Sequence, residues 1–142
     1  MADRTAHVTW SGSLMEGGGT ITRVGSGAFG PLDVTWSSRA EDSAGRTSPE
    51  ELVAAAHAAC FSMALSHGLA QAGSPAERLD VDATVTFVPG TGITKIALTV
   101  RGAVPGLDEA AFVEAAEGAK ANCPVSKALA AVPEITLDAS LA

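Results

Sequence analysis

Along the first third of the chain, apolar positions recur in short β-branched runs: HVTW (7–10), TITRV (20–24) and LDVTWSS (32–38). The segments between them, SGSLMEGGG and GSGAFGP, are dense in turn formers, so this region predicts antiparallel strands joined by turns. After a loop, RAEDSAGRT (39–47), the pattern changes. Residues 48–68, SPEELVAAAHAACFSMALSHG, are alanine and aliphatic nearly all round a helical wheel. Ser48 can cap this helix, Pro49 suits its first position and Glu51 can close a capping box. The helix is expected to run to about His67, where Gly68 or Gly73 offers a left-handed stop.

The pattern then returns to period two. LDVDATVTFVP (79–89) and ITKIALTVRGAV (93–104) flank the turn PGTG and predict a hairpin. Asp80, Asp82, Thr84 and Thr86 alternate with Val81, Ala83, Val85 and Phe87, one wet face and one buried face. LDEAAFVEAAEGAKA (107–121) reads as an amphipathic helix capped by Asp108. NCPVSKALAA (122–131) starts another short helix with Pro124 in its first turn, and EITLDASL (134–141) closes the chain as a strand. The class is α+β, an antiparallel sheet with one apolar helix and two lesser ones. A helix apolar on all sides needs cover on more than one. A single sheet from a chain this short covers one face, so a homodimer with the central helices between two sheets is expected.

Composition narrows the function. At 142 residues and 46% hydrophobic, one globular domain over 1–142 is expected, without internal repeats or linkers. Glu, His and Ser interrupt the best apolar run before it reaches the ~18–20 residues of a membrane span, so no membrane association is expected. A net charge of -7, with nine scattered basic residues, argues against a nucleic-acid or anionic-membrane partner. The N-terminus, MADRTAHVTW, lacks the basic-then-apolar layout of a signal peptide, which points to the cytoplasm. In that reducing compartment a permanent disulfide between Cys60 and Cys123 is not expected, whereas a transient one is allowed, and two such cysteines are commonly unrelated core residues.

The chemistry rests on what Cys60 is for. Buried cysteine commonly serves as a small hydrophobe. A metal reading would join Cys60 to His57, His67 and Cys123, but His67 lies about two turns beyond Cys60 and zinc needs its ligands on one small tetrahedron. A nucleophile reading needs a thiolate, and an apolar helix surface alone would raise the thiol pKa, so a cation must come from elsewhere. Arg39, Arg46 and Arg23 are the candidates, oriented by Glu50 or Glu51 at the helix start. Cys123 sits at a helix start, where backbone N–H groups favour a thiolate and a good partner for disulfide exchange.

The runs SPEELVAAAHAACFSMALS (48–66) and AKANCPVSKAL (119–129), with ITKIALTVRGAVPGLD and EITLD, resemble the OsmC branch of the OsmC/Ohr family of thiol-dependent peroxidases. The resemblance covers nearly the whole chain and is weakest in the glycine-rich segment before Pro31. It implies two chains interlocked as a homodimer around enclosed central helices, and reduction of organic hydroperoxides to alcohols. By position it makes Cys60 in AACF the peroxidatic cysteine, Cys123 in NCPVS the resolving cysteine, Arg39 in WSSRAED the activating arginine and Glu50 its acid. It implies a dithiol reductant, such as a lipoylated protein, and no heme, flavin or metal. Glu50 precedes Cys60 by about 15 Å of continuous helix, so Arg39 and Glu50 would have to serve Cys60 of the other chain. The rival expectations are a non-catalytic redox sensor switching a partner through the same disulfide, and a ligand-binding dimer with Cys60 as filler.

Overall fold

The computed structural model describes residues Met1–Ala142. The chain forms two compact units, Met1–Leu52 and Val53–Ala142. In the first unit, β1 (Ala6–Ser11), β2 (Gly18–Val24) and β3 (Leu32–Val34) make an antiparallel sheet in that order. β1 is solvent-exposed along its whole length, and Ile21 of β2 is buried. Gly19 lets Trp10 lie flat on β2: a Cβ there would come within 2.7 Å of the indole ring.

One expectation fails here. The run LDVTWSS is strand only to Val34, and Trp36–Ala40 is a helical turn, α1. Thr35 and Ser38 close a reciprocal capping box: Ser38 N–H donates to Thr35 Oγ1 at 3.0 Å and Thr35 N–H to Ser38 Oγ at 2.9 Å. A β-branched, aromatic run suggests strand, but a side-chain hydroxyl that satisfies an orphan N–H at each end of the turn outweighs that small preference. The residues read as loop, Arg39 and Ala40, therefore belong to α1.

Helix α2 (Pro49–Gln71) opens as expected at Ser48, whose Oγ accepts from Glu51 N–H at 3.1 Å. The carboxylate of Glu51 does not close the box; it accepts from the Thr47 hydroxyl instead. The helix passes Gly68 and stops at Gly73 (φ +81°), where Gly73 N–H reaches Ala70 O and Ser74 N–H reaches Leu69 O. These two bonds satisfy the last carbonyls by the glycine-terminated pattern, and no such geometry arises at Gly68. At 23 residues, α2 is long and apolar enough to cross a membrane by length and composition, which corrects the expectation drawn from its polar interruptions. Its stripe Phe61, Leu65, Leu69 is instead built into the core of the second unit.

That unit carries β4 (Arg78–Val88), β5 (Gly92–Ala103), α3 (Glu109–Asn122), α4 (Pro124–Ala128) and β6 (Glu134–Leu141). β4 and β5 form the expected hairpin, with Gly90 in the left-handed region of its loop. The alternation in β4 is as read: Asp80, Asp82, Thr84 and Thr86 are exposed, and Val81, Ala83, Val85 and Phe87 are half-buried. β6 pairs with β5 in parallel, so this sheet is mixed rather than antiparallel. The helices between β5 and β6 form a crossover, which returns the chain to the same end of the sheet and makes parallel pairing possible. Leu98 and Val100 of β5, the α2 stripe, and Phe112, Ala116 and Ala119 of α3 close one core, which also contains Cys123. Gly102 is a steric requirement: a Cβ there would sit 2.5 Å from the Phe112 ring. Each fully buried Leu or Phe contributes roughly 1.5–3 kcal/mol. On its other side α2 leaves Ala55, Ala56, Ala59, Met63 and Ala70 exposed, with Met63 at 73%.

Candidate active site

Cys60, in the middle of α2, and Cys123, at the junction of α3 and α4, are both free thiols. Cys123 is fully buried and Cys60 half-buried. The junction is rigid: Cys123 N–H ends α3 on Ala119 O at 2.8 Å, and Cys123 O begins α4 by accepting from Lys127 N–H at 3.0 Å. Pro124 fills the first position of α4, where a missing N–H costs nothing. The two side chains act on each other's acidity.

Their surroundings split these acidities. Burial pushes the Cys60 thiol up; the Val125 N–H pulls it partly back, and Cys123 pushes it further up. Burial also pushes Cys123 up, but the Ser126 N–H, the Cys60 thiol, the Ser126 hydroxyl and the Val125 N–H outweigh it and bring Cys123 below its ordinary value. Within the second unit, then, the surroundings favour negative charge on Cys123 over Cys60. No cation of that unit contributes to the shift of Cys60.

The first unit holds a separate polar pair. Arg39, in the last turn of α1, donates to Glu50 Oε1 from Nε at 2.9 Å and from Nη2 at 2.7 Å. Glu50 lies in the first turn of α2, where the helix dipole favours a carboxylate, and it is buried. The Ser38 hydroxyl reaches both Thr35 O and Thr47 O, which ties α1 to the segment that leads into α2 and sets the distance between the pair. Glu50 Oε2 is buried without a hydrogen-bond partner, a costly state for a carboxylate oxygen. Arg46 and Arg23, the other candidate cations, are exposed.

His57, Cys60 and His67 do not converge. His57 is fully buried with Nε2 2.7 Å from Ser126 Oγ, whereas His67 is exposed. From the sequence His57 was weighed beside the thiols only as a metal ligand, and Ser126 not at all. The available signal was spacing: His57 stands three positions before Cys60 and Ser126 three positions after Cys123, which puts each polar residue one turn from a thiol.

Residues 41–138 match the family model of OsmC-like protein. The chain belongs to this family. The OsmC-like chain is 45% identical to peroxiredoxin OsmC of Escherichia coli (strain K12) over 135 residues, 93% of this chain and 92% of that protein. Among solved structures it is similar to the organic hydroperoxide resistance protein OhrB of Bacillus subtilis, with a TM-score of 0.65, 25% identity and coverage of 97% and 98%. It shares the fold of an organic hydroperoxide resistance protein from Elizabethkingia anophelis, with a TM-score of 0.70, 23% identity and coverage of 97% and 96%. The OsmC-like match spans the junction of the two units and includes Glu50, Cys60 and Cys123, whereas Arg39 precedes it.

Proposed function

We propose that this chain is a thiol-dependent peroxidase that reduces organic hydroperoxides, with Cys60 as the peroxidatic and Cys123 as the resolving cysteine. The observation that carries the reading is the packing of two free cysteines from distant segments in one core, at a site where neighbouring N–H groups favour negative charge on sulfur. The Cys60 thiolate attacks one peroxide oxygen, the O–O bond breaks, and the alkoxide takes a proton and leaves as alcohol. Cys60 becomes a sulfenic acid. Cys123 attacks that sulfur, water leaves and the disulfide forms; an external dithiol, such as a lipoylated protein, restores both thiols by exchange.

Burial raises the pKa of the Cys60 thiol, so its activation calls for a cation from outside Val53–Ala142. Arg39, held by Glu50, fits that need: a guanidinium that a buried carboxylate fixes in direction stabilises a thiolate and polarises a bound peroxide. Glu50 precedes Cys60 by ten positions of continuous α2, so the pair serves Cys60 of a second copy and each site is shared across a homodimer. The uncovered apolar side of α2 and the unpaired Glu50 Oε2 support this assembly. We read the two units as parts of one domain over 1–142, since the family match crosses their junction. Its place is the reducing cytoplasm, which keeps both thiols free between turnovers.

An apolar cleft of about 520 Å³ between α2 and α3 begins one helical turn from each thiol, at Ala64 and Ala119, and continues past Leu107 and Ala115. It gives the hydrocarbon part of an alkyl hydroperoxide a dry surface that hydrogen peroxide cannot exploit. The test is a count of free thiols before and after one equivalent of cumene hydroperoxide. Loss of two thiols within seconds, absent in Cys60→Ser, is the expected result; survival of both thiols would leave Cys60 a core residue.

A further inference from the structure

The buried contact of His57 with Ser126 lies outside the peroxidatic machinery described above. Both residues belong to the second unit, and both are shielded from solvent: His57 fully, Ser126 to 8% exposure. Nε2 and Oγ are 2.7 Å apart, a short contact for a ring nitrogen and a hydroxyl. Nδ1 of the same ring is buried without a partner. A neutral imidazole has one N–H and one bare nitrogen. Leaving a bare nitrogen unpaired is the lesser cost, because orphaned buried N–H groups are the rarer case in folded proteins. The proton therefore belongs on Nε2, which donates to Ser126 Oγ. That donation occupies a lone pair on Oγ and frees the hydroxyl hydrogen; Cys123, buried three positions back at the start of α4, is the thiol whose pKa that hydroxyl lowers.

We propose that Ser126 is a positioning residue for the resolving step, its hydroxyl aimed by buried His57 so that it donates to Cys123 Sγ and holds that sulfur ready to attack the Cys60 sulfenic acid. The inference rests on the assignment of Cys60 and Cys123 above and adds a separate control over the second half of the cycle. In that step the S–O bond of Cys60 breaks and the Cys60–Cys123 S–S bond forms. Cys123 is oxidised, the Cys60 sulfur is reduced, and the proton that Cys123 has given up balances the one hydroxide takes up to leave as water. The chain Nε2–H···Oγ–H···Sγ stabilises the attacking thiolate without taking part in bond making. Burial lowers the His57 pKa, so the ring stays neutral and the direction of the chain is kept at physiological pH. Because the hydroxyl sits beside Cys123 on α4, its removal is expected to act on condensation and spare the attack on peroxide.

The experiment is a single turnover with one equivalent of cumene hydroperoxide. Cys60 sulfenic acid is trapped with dimedone, and disulfide is followed by intact mass in quenched samples. In Ser126→Ala, sulfenic acid accumulates and disulfide formation slows about tenfold, the loss of one hydrogen bond to a charged group, at an unchanged rate of Cys60 oxidation. His57→Leu slows the same step, and His57→Gln, which keeps an N–H donor in the same volume range, recovers most of it. Disulfide formation within twofold of wild type in Ser126→Ala would overturn the proposal. So would a His57→Gln variant as slow as His57→Leu, because His57 would then act through packing alone. If wild-type Cys60 itself forms no sulfenic acid, the peroxidatic assignment falls and this inference with it, a result distinct from the other two.

Discussion

The two units of this chain solve the problem of burial differently. The second, Val53–Ala142, encloses Phe61, Leu65, Leu98, Val100 and Phe112 in one core and inserts Cys123 into it. The first buries Ile21 but leaves Val8, Trp10, Leu14, Met15 and Phe29 exposed on and around its sheet. Its order comes from hydrogen bonds: the Thr35–Ser38 capping box, Thr20 on Asp33, and Arg39 on Glu50. Apolar side chains left in water contribute little to stability, and patches of them mark surfaces that another molecule covers. Thiols need a fixed, dry setting that one unit can supply, whereas the guanidinium pair is held on a framework whose apolar face is still open. The shared-site reading predicts this difference.

The comparison can be broken at either end. The largest effect falls on the second unit's chemistry: Cys60→Ser is expected to cut peroxidase turnover by about 10³-fold or more, read in a dithiol-coupled assay. Phe112→Ala should cost about 3–5 kcal/mol in urea unfolding, because the ring fills the core beneath Gly102. In the first unit, Arg39→Ala should lower turnover by about 10²- to 10³-fold with both thiols intact. Mixing Arg39→Ala with Cys60→Ser chains should restore activity if sites are shared, since one site of the mixed dimer has every wild-type group; no recovery would place each site within one chain. Val8→Ala is the sharper probe of the exposed sheet. On a free surface it shifts stability by less than about 0.5 kcal/mol, whereas under a partner it costs about 1 kcal/mol or more and the cost depends on protein concentration.

The smallest effect is a pH dependence. Burial lowers the pKa of His57, so between its folded value and the ordinary value of about 6.5 the unfolded chain binds more protons than the folded one. Stability therefore rises with pH through that window and is lost as pH falls below about 6.5. Unfolding midpoints measured from pH 7 to 5 should fall in the wild type and flatten in His57→Gln. An equal slope in both would place the titration elsewhere.

How legible the fold was depended on how local its causes are. The β4–β5 hairpin, the Asp108 cap, the start of α2 and the short helix after Cys123 all rest on contacts within a few residues, and their spacing is visible in the chain. Trp36–Ser38 misled because a five-residue helix has too few positions to show a period, and its capping box uses Ser where Glu or Gln is the familiar signal. The parallel seating of β6 was hidden for a different reason: a strand's own residues do not state the direction of its neighbour. In the site, Arg39 was one of three arginines, and only folding put it, rather than the exposed Arg46 or Arg23, against Glu50.

The sequence by itself determined the α+β class, the positions of Cys60 and Cys123 within their elements, and the family to which they belong. The class and the positions follow from periodicity and capping residues, and the family from the resemblance of the runs around the two cysteines, which are properties of neighbouring residues. Tertiary structure alone decided that the two thiols share one core, that their surroundings favour negative charge on Cys123 over Cys60, and that His57 and Ser126 are buried against each other. Those outcomes depend on which helix faces are buried against each other across many residues of chain. Burial and the direction of each N–H or O–H, which set the charge of a sulfur, exist only once that packing is complete.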